Sequence, residues 1–451
     1  MPRWFHRFVP VVVVALAVAA LGAESVKGVT FNDYTLRNGL RVIVSEDHSA
    51  PVFSLAVTYK AGSRDERKGR TGFAHLFEHM MFKGSEQVGP GEHFTLIFNN
   101  GGSMNGTTSQ DRTLYFETLP ANQLDLAIFL EADRMWSLDI TAANLDNQRN
   151  AVQEERRLGV DNQAYGRTYE LVDELAFENF ANEHSVIGSM TDLSAATVDD
   201  VKSFFRTYYA PNNAVLSIVG DVRSGDVLAK VRKYFERIPS QPPPPKPDLA
   251  EPPQQAERRQ TIDDKLAKLS RVDIVFHAAT PNTADDDAMN VLASVLSSGR
   301  SSRFYEKIVR QAQLTTGVSA FNDTSRGPGL FRVFSLAQPG KSIADLEAAI
   351  YAEVERVKTE PIAAWEIEKA ISSEKRSFAS GLGSSLQRAV LLGEFAAFWD
   401  DPNLINTYVD RLSKVTAADV QRVARRYLVQ TNRTVVITNP AKPSTDAKEN
   451  Q

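Results

Sequence analysis

The sequence predicts two tandem, related domains that mix helices with strands, and three observations predict it. Strand-biased and helix-biased segments alternate from Phe31 onward, a block of residues recurs at a constant offset of 219, and a proline-rich run separates the two copies. Proline lacks the amide donor and restricts its predecessor, so Pro239 to Pro253 (PSQPPPPKPDLAEPP) forms neither helix nor central strand and reads as a semi-rigid linker.

In chain order, residues 1–23 carry Arg3 and Arg7, an apolar run from Val9 to Leu21, and small residues at Ala20, Gly22 and Ala23. That is the order of a secretory signal peptide, and the run is too short to span a bilayer comfortably. Removal on export to the periplasm is expected, with an uncleaved anchor as the alternative. Residues 39–59 read as a strand, a polar turn and a second strand, through their β-branched residues. Phe73 to Phe82 is apolar at helical spacing, further helical stretches lie near 121–138, 142–180 and 197–209, and a strand is expected at 214–219.

The repeat pairs Leu193, Ser194, Thr197, Asp200, Val201, Tyr208, Asn213 and Ile218 with Leu412, Ser413, Thr416, Asp419, Val420, Tyr427, Asn432 and Ile437. Each copy reads as a helix, a short turn and a β-branched strand. The expected division is a signal segment (1–23), an N-terminal domain (24–238), the linker (239–258), a related C-terminal domain (259–440) and a frayed polar tail (441–451).

The 51 Lys+Arg against 56 Asp+Glu give a net charge of −5, so no overall basic field exists to hold a nucleic-acid backbone. The chain has no cysteine, which removes disulfides, thiolate nucleophiles and thiolate zinc sites together. Any metal must sit on histidine and carboxylate.

The residues that carry chemistry are His75, Glu78 and His79 within GFAHLFEHM. On a helix the two histidines stand one turn apart, so both imidazoles reach one ion. Glu78 borders the same face and can accept a proton from an attacking water without being a ligand. This is the inverted H-x-x-E-H arrangement. Two histidines leave a tetrahedral zinc short of one protein ligand, with a further position kept for solvent. Among the other histidines, His6, His48, His93, His184 and His277, none lies in a similar cluster along the sequence. A distal carboxylate is the natural candidate, and Glu154 and Glu155 are adjacent on an expected helix. Neighbours on a helix diverge by about 100°, so only one faces the ion, and spacing alone does not choose between them.

With these residues in view, the chain resembles the pitrilysin or insulinase group of zinc metallopeptidases, the inverted zincins that include the mitochondrial processing peptidase. The resemblance runs over residues 30–440 and is carried by Gly72 to Gly84, Gly101 to Pro120, Tyr209 to Asp221 and the repeat. It implies an α+β fold of two homologous domains, each a mostly antiparallel sheet covered by helices. It implies zinc as cofactor, His75, His79 and Glu155 as its ligands, and Glu78 as the base. At the 219 offset the motif residues map onto Ser294, Ser297 and Ser298, so only the first half holds the metal, and Glu374, the counterpart of Glu155, is expected to be a solvated helix residue.

The chain departs from the family at two places. An additional glutamate often lies seven residues before the distal ligand; here that position is Gln148, whose amide brings no negative charge. An arginine and a tyrosine seven residues later reach the substrate carbonyl in single-chain members; here the aligned positions are Val309 and Thr316, with Arg310 one residue off. Some bacterial members divide these parts between two subunits, and this chain resembles the zinc-bearing one. The resemblance therefore implies a homologous partner supplying Arg and Tyr in a heterodimer. A non-catalytic structural or peptide-binding member is the alternative, separated by zinc analysis.

Ser103 to Glu117 reads as a strand near a sheet edge. By resemblance, substrate peptide adds there as an extra strand, bonded to the backbone near Asn105 and Gly106. The bland reading is an edge strand protected by polar side chains. Glu66 and Asp111 are candidates for orienting the helix or a ligand, and the run Arg64 to Arg70 is expected to be a solvated loop.

Overall fold

The computed structural model describes residues 28–324 and 326–442; the expected signal segment and most of the polar tail lie outside them. The first sheet has six strands: β1 (Asn32–Thr35), β2 (Arg41–Glu46), β3 (Val52–Tyr59), β4 (Ser103–Thr108), β5 (Thr113–Pro120) and β6 (Ala214–Gly220). Their order is β1-β2-β6-β3-β5-β4, antiparallel except for the β2–β6 pair. The second has five: β7 (Arg258–Asp264), β8 (Arg271–His277), β9 (Val318–Asp323), β10 (Leu330–Leu336) and β11 (Arg433–Pro440), in the order β7-β11-β8-β10-β9, with β7–β11 parallel. Removing β1 makes the two topologies identical, so the fold is α+β with two tandem related units.

The strand, turn and strand read over 39–59 stand as β2 and β3, with β6, some 150 residues later, inserted between them. Two sequence expectations change. Ser103 to Glu117 is not one strand: Asp111 and its neighbours turn the chain, and β4 pairs antiparallel with β5. The stretch 142–180 breaks into α4 (Ala142–Arg156), a wider helical turn, and α5 (Gly166–Ala176).

The first sheet is buried on both faces. Val42, Val44, Leu55 and Val57 pack under α1 (Phe73–Met80), α3 (Leu124–Ser137) and α6 (Val198–Tyr208), with α2 (Glu92–Asn99) lying beside β4. The alternate residues Ile43, Ala56, Leu114 and Val215 point to the other face, as the period of two requires. That face is covered by Ala389, Leu392 and Ala396 of α8 (Ser385–Trp399), a helix of the second half. Reciprocally, Leu171, Val172 and Ala176 of α5 cover Val275, Leu330 and Val436 of the second sheet. The opposite face of that sheet packs on α7 (Ala284–Ser297). The helices α5 and α8 begin 219 residues apart, at Gly166 and Ser385, so they are the same element of the repeat, exchanged between the halves.

The repeated identities have physical roles. Thr197 and Thr416 each cap a helix, α6 and α9 (Ala417–Tyr427), in a reciprocal box with Asp200 and Asp419. Asn213 and Asn432 each donate a side-chain amide at 2.8 Å to the carbonyl of Tyr208 or Tyr427, closing the turn into β6 or β11.

Candidate metal centre

α1 begins at Gly72, whose φ of +82° is left-handed and where a Cβ would meet the Ile187 carbonyl oxygen at 2.6 Å, so only glycine serves. No side chain of the cap residue satisfies the first amides of the helix. Glu66 does so from outside: its Oε1 accepts the Ala74 N–H at 2.7 Å and its Oε2 the Gly72 N–H at 2.9 Å. Glu66 Oε2 also faces His184 Nε2 at 3.0 Å, while His184 Nδ1 faces the Phe180 carbonyl at 2.6 Å. Both ring nitrogens of His184 thus face oxygen atoms. Burial pushes the Glu66 carboxyl upward, against His184 and the Ala74 and Gly72 amides, while Glu66 and the Phe180 carbonyl raise the His184 imidazole against its own burial.

On this anchored helix His75 and His79 project together, ring centroids 4.8 Å apart. The third group comes from α4. Leu145, Gln148 and Val152 form the buried stripe of that helix, and Glu155, three residues on, continues it. Glu155 Oε2 lies 3.7 Å from His75 Nε2 and 3.4 Å from His79 Nε2. Glu154 turns away and pairs with Arg157 at 3.0 Å. Of the two adjacent carboxylates, Glu155 is the one that lies beside both histidines.

Two imidazole nitrogens and a carboxylate oxygen, all within 4.8 Å of one another, are a donor set of the kind that can hold a divalent ion with positions left for solvent. Burial and then His79 push His75 down to about 4, against the pull of Glu155, which keeps its lone pair free. Glu155 is held below the ordinary carboxylate value by its hydrogen bond to His79. The residues present fit a divalent ion.

Glu78 is not one of the three donors. It is 7% exposed, and its Oε2 accepts the Thr108 hydroxyl at 2.6 Å. Burial pushes its carboxyl above the usual range, against Thr108 and His79. A Cβ on Gly106 would stand 3.0 Å from Glu78 Cγ and Oε1, so β4 rests directly on this carboxyl. β4 is the outermost strand of its sheet; Ser103, Asn105 and Thr107 are exposed, while Asn105 Oδ1 accepts the Gly106 N–H at 2.9 Å.

Other expected residues fall elsewhere. Gln148 is buried, but its amide donates to Asn147 rather than to the three donors. Arg310 pairs with Glu306 on its own helical segment and is 62% exposed. Glu374 is half-buried rather than solvated, and burial raises its carboxyl. Arg64 departs from the solvated-loop expectation: it is 4% exposed and bonds Asp111 at 2.8 Å. Asp111 also accepts the Arg326 N–H at 2.8 Å, and Arg64 reaches the Pro328 carbonyl at 2.5 Å, tying the β4–β5 turn to the second half. Glu66 was a candidate in the sequence; its partner His184 and the hydroxyl of Thr108 were not, because each meets its partner across 30 or more residues.

A family model described as Insulinase (Peptidase family M16) matches residues 41–189, and one described as Peptidase M16 inactive domain matches residues 195–374. The zinc protease PqqE of Helicobacter pylori is 30% identical over 409 residues, spanning 90% of this chain and 92% of that protein. A probable mitochondrial-processing peptidase subunit beta of Arabidopsis thaliana is 25% identical over 408 residues, spanning 87% of this chain and 75% of that protein. The crystal structure of a protease from Helicobacter pylori superposes with a TM-score of 0.87 at 29% identity, covering 91% of this chain and all of that one. Among the described residues no helix is long and apolar enough to cross a membrane.

Proposed function

The chain belongs to the insulinase family of peptidases, M16, and from that premise we propose that it is a zinc-dependent endopeptidase of short or unfolded peptides. The observation that carries the reading is the convergence of His75, His79 and Glu155 beside a buried Glu78 that rests on an open strand edge. His75, His79 and Glu155 hold the metal, with Gln148 behind Glu155 on the same helix. Zinc, when bound, supplies a Lewis acid that acidifies water and polarises a carbonyl.

Glu78 takes a proton from the attacking water and returns it to the leaving amine. Its raised pKa brings it nearer to neutrality, where both halves of that exchange are favourable. β4 receives the peptide main chain beside Asn105 and Gly106, which selects extended substrates over folded ones and imposes little sequence preference.

The chain acts in this reading as the metal-bearing subunit. Val309 and Thr316 offer no donor equivalent to Arg and Tyr, and Arg310 is engaged on its own helical segment, which supports a homologous partner that supplies them. Residues 1–23 act as an export signal to the periplasm, and residues 24–238 and 259–440 are the two domains on either side of the 239–258 linker.

Glu78→Gln tests the assignment. Metal content should stay near one ion at this centre while hydrolysis of an unfolded peptide is lost; loss of the ion itself would reassign Glu78. For the partner, peptide hydrolysis by the purified chain alone should be far slower than by its mixture with the cognate subunit, and equal rates would remove that part of the reading.

A further inference from the structure

We propose that His93, Glu117 and Glu131 form a second metal site, holding one buried divalent cation of the zinc or manganese class. The three come from α2, β5 and α3, and none belongs to the centre described above. Their side chains are 5%, 1% and 1% exposed. His93 Nε2 lies 3.7 Å from Glu117 Oε2 and 4.0 Å from Glu131 Oε1. All three donor atoms fall within 4.8 Å of one another, as do those of the first centre.

Three of the donor atoms want a partner. His93 Nε2 and both oxygens of Glu117 are buried with no hydrogen bond among the described residues. Leaving such atoms unsatisfied in a core is costly, so a partner there stabilises the fold. Charge points the same way. Arg134 compensates Glu131: its Nε donates to Glu131 Oε2 at 2.9 Å, its Nη2 to Oε1, and its guanidinium lies 4.3 Å over the Tyr115 ring. Glu117 accepts no hydrogen bond from a cation among the described residues: burial pushes its carboxyl well up, and Arg134 opposes that only through space.

A proton on Glu117 does not close the cluster, because His93 Nε2 at 3.7 Å is beyond hydrogen-bond reach. A neutral water bridges the atoms but leaves the carboxylate charge. A dication takes the open nitrogen and oxygens as ligands and carries the cluster of Glu117, Glu131 and Arg134 from one net negative charge to one net positive, and it needs His93 neutral with its lone pair free. Burial and then Arg134 push the imidazole well below its ordinary value, which supplies that form. One nitrogen and carboxylate oxygens suit borderline divalent metals, which bind imidazole and carboxylate together. The ion would pin α2 and α3 to β5, behind the strand edge.

The test is a metal count on the full chain, dialysed against Zn²⁺ or Mn²⁺ and then against metal-free buffer. Two ions per chain are expected for the natural protein, one for the double variant His75→Ala/His79→Ala, and none when Glu117→Gln is added. A double variant that holds neither metal overturns the proposal and leaves a protonated Glu117 with a buried water; an ion retained after Glu117→Gln overturns it also. His93→Gln serves where Glu117→Gln does not fold, and the count on the double variant decides regardless. A natural chain whose single ion survives His75→Ala/His79→Ala would support this site and refute the first.

Discussion

Thr108 donates its hydroxyl to Glu78 Oε2 at 2.6 Å, so the strand whose outer edge is free also holds the carboxyl of the H-x-x-E-H helix from within. The inner face of β4 fixes one oxygen of Glu78 through Thr108 and lies against the other at Gly106.

Thr108→Val keeps the shape and removes the donor. A hydrogen bond to a charged group is worth about 1.5–3 kcal/mol, so kcat should fall by roughly 10-fold or more with KM and metal content unchanged. Thr108→Ser should restore most of it. Steady-state kinetics on an unfolded peptide, beside metal analysis, checks both.

Glu155→Gln should weaken zinc binding by at least about 100-fold, since a ligand is lost outright where loss of a supporting contact alone costs 10–100-fold. Glu154→Gln should leave it unchanged, because Glu154 pairs with Arg157 at the surface. Titration against a zinc chelator distinguishes the two.

Glu66→Gln removes the carboxyl that faces His184 and weakens the cap on α1. Breaking a buried pair of this kind costs about 3–5 kcal/mol. The urea midpoint should fall accordingly, and zinc affinity with it, because both histidines ride on that helix.

Asp47 and Arg388 join the end of β2 to α8 of the second half. Ser49 and then Arg388 hold the Asp47 carboxyl down at about 2. A depressed pKa contributes stability that is whole above the ordinary carboxylate value and lost as pH falls through the folded one. The contribution should therefore disappear between about pH 4 and pH 2. Solvent screening keeps it near ~1 kcal/mol or less. Asp47→Asn should flatten the acid limb of thermal stability by that amount; an unchanged limb would assign it to other carboxylates.

Local pattern made part of this legible. One turn of helix relates His75 to His79, and the capping and turn roles of Thr197, Asp200 and Asn213 recur at a fixed offset, so short-range spacing carried both. Glu155 needed the resemblance, since the stripe through Leu145, Gln148 and Val152 is visible only once the burial of α4 is known. His93 looked solitary because Glu117 and Glu131 approach it from two other elements. The insertion of β6 between β2 and β3 is likewise a long-range pairing that no window of sequence contains.

The exchange of α5 and α8 makes the two lobes mutual lids. A fragment ending before the proline-rich run would bare Ile43, Ala56, Leu114 and Val215 to water and carry an α5 with no sheet to cover. The crossing between the halves is therefore a tether and not a severance point: neither lobe, produced alone, should be a soluble species, and a split gene would have to bring both polypeptides together before either could finish folding.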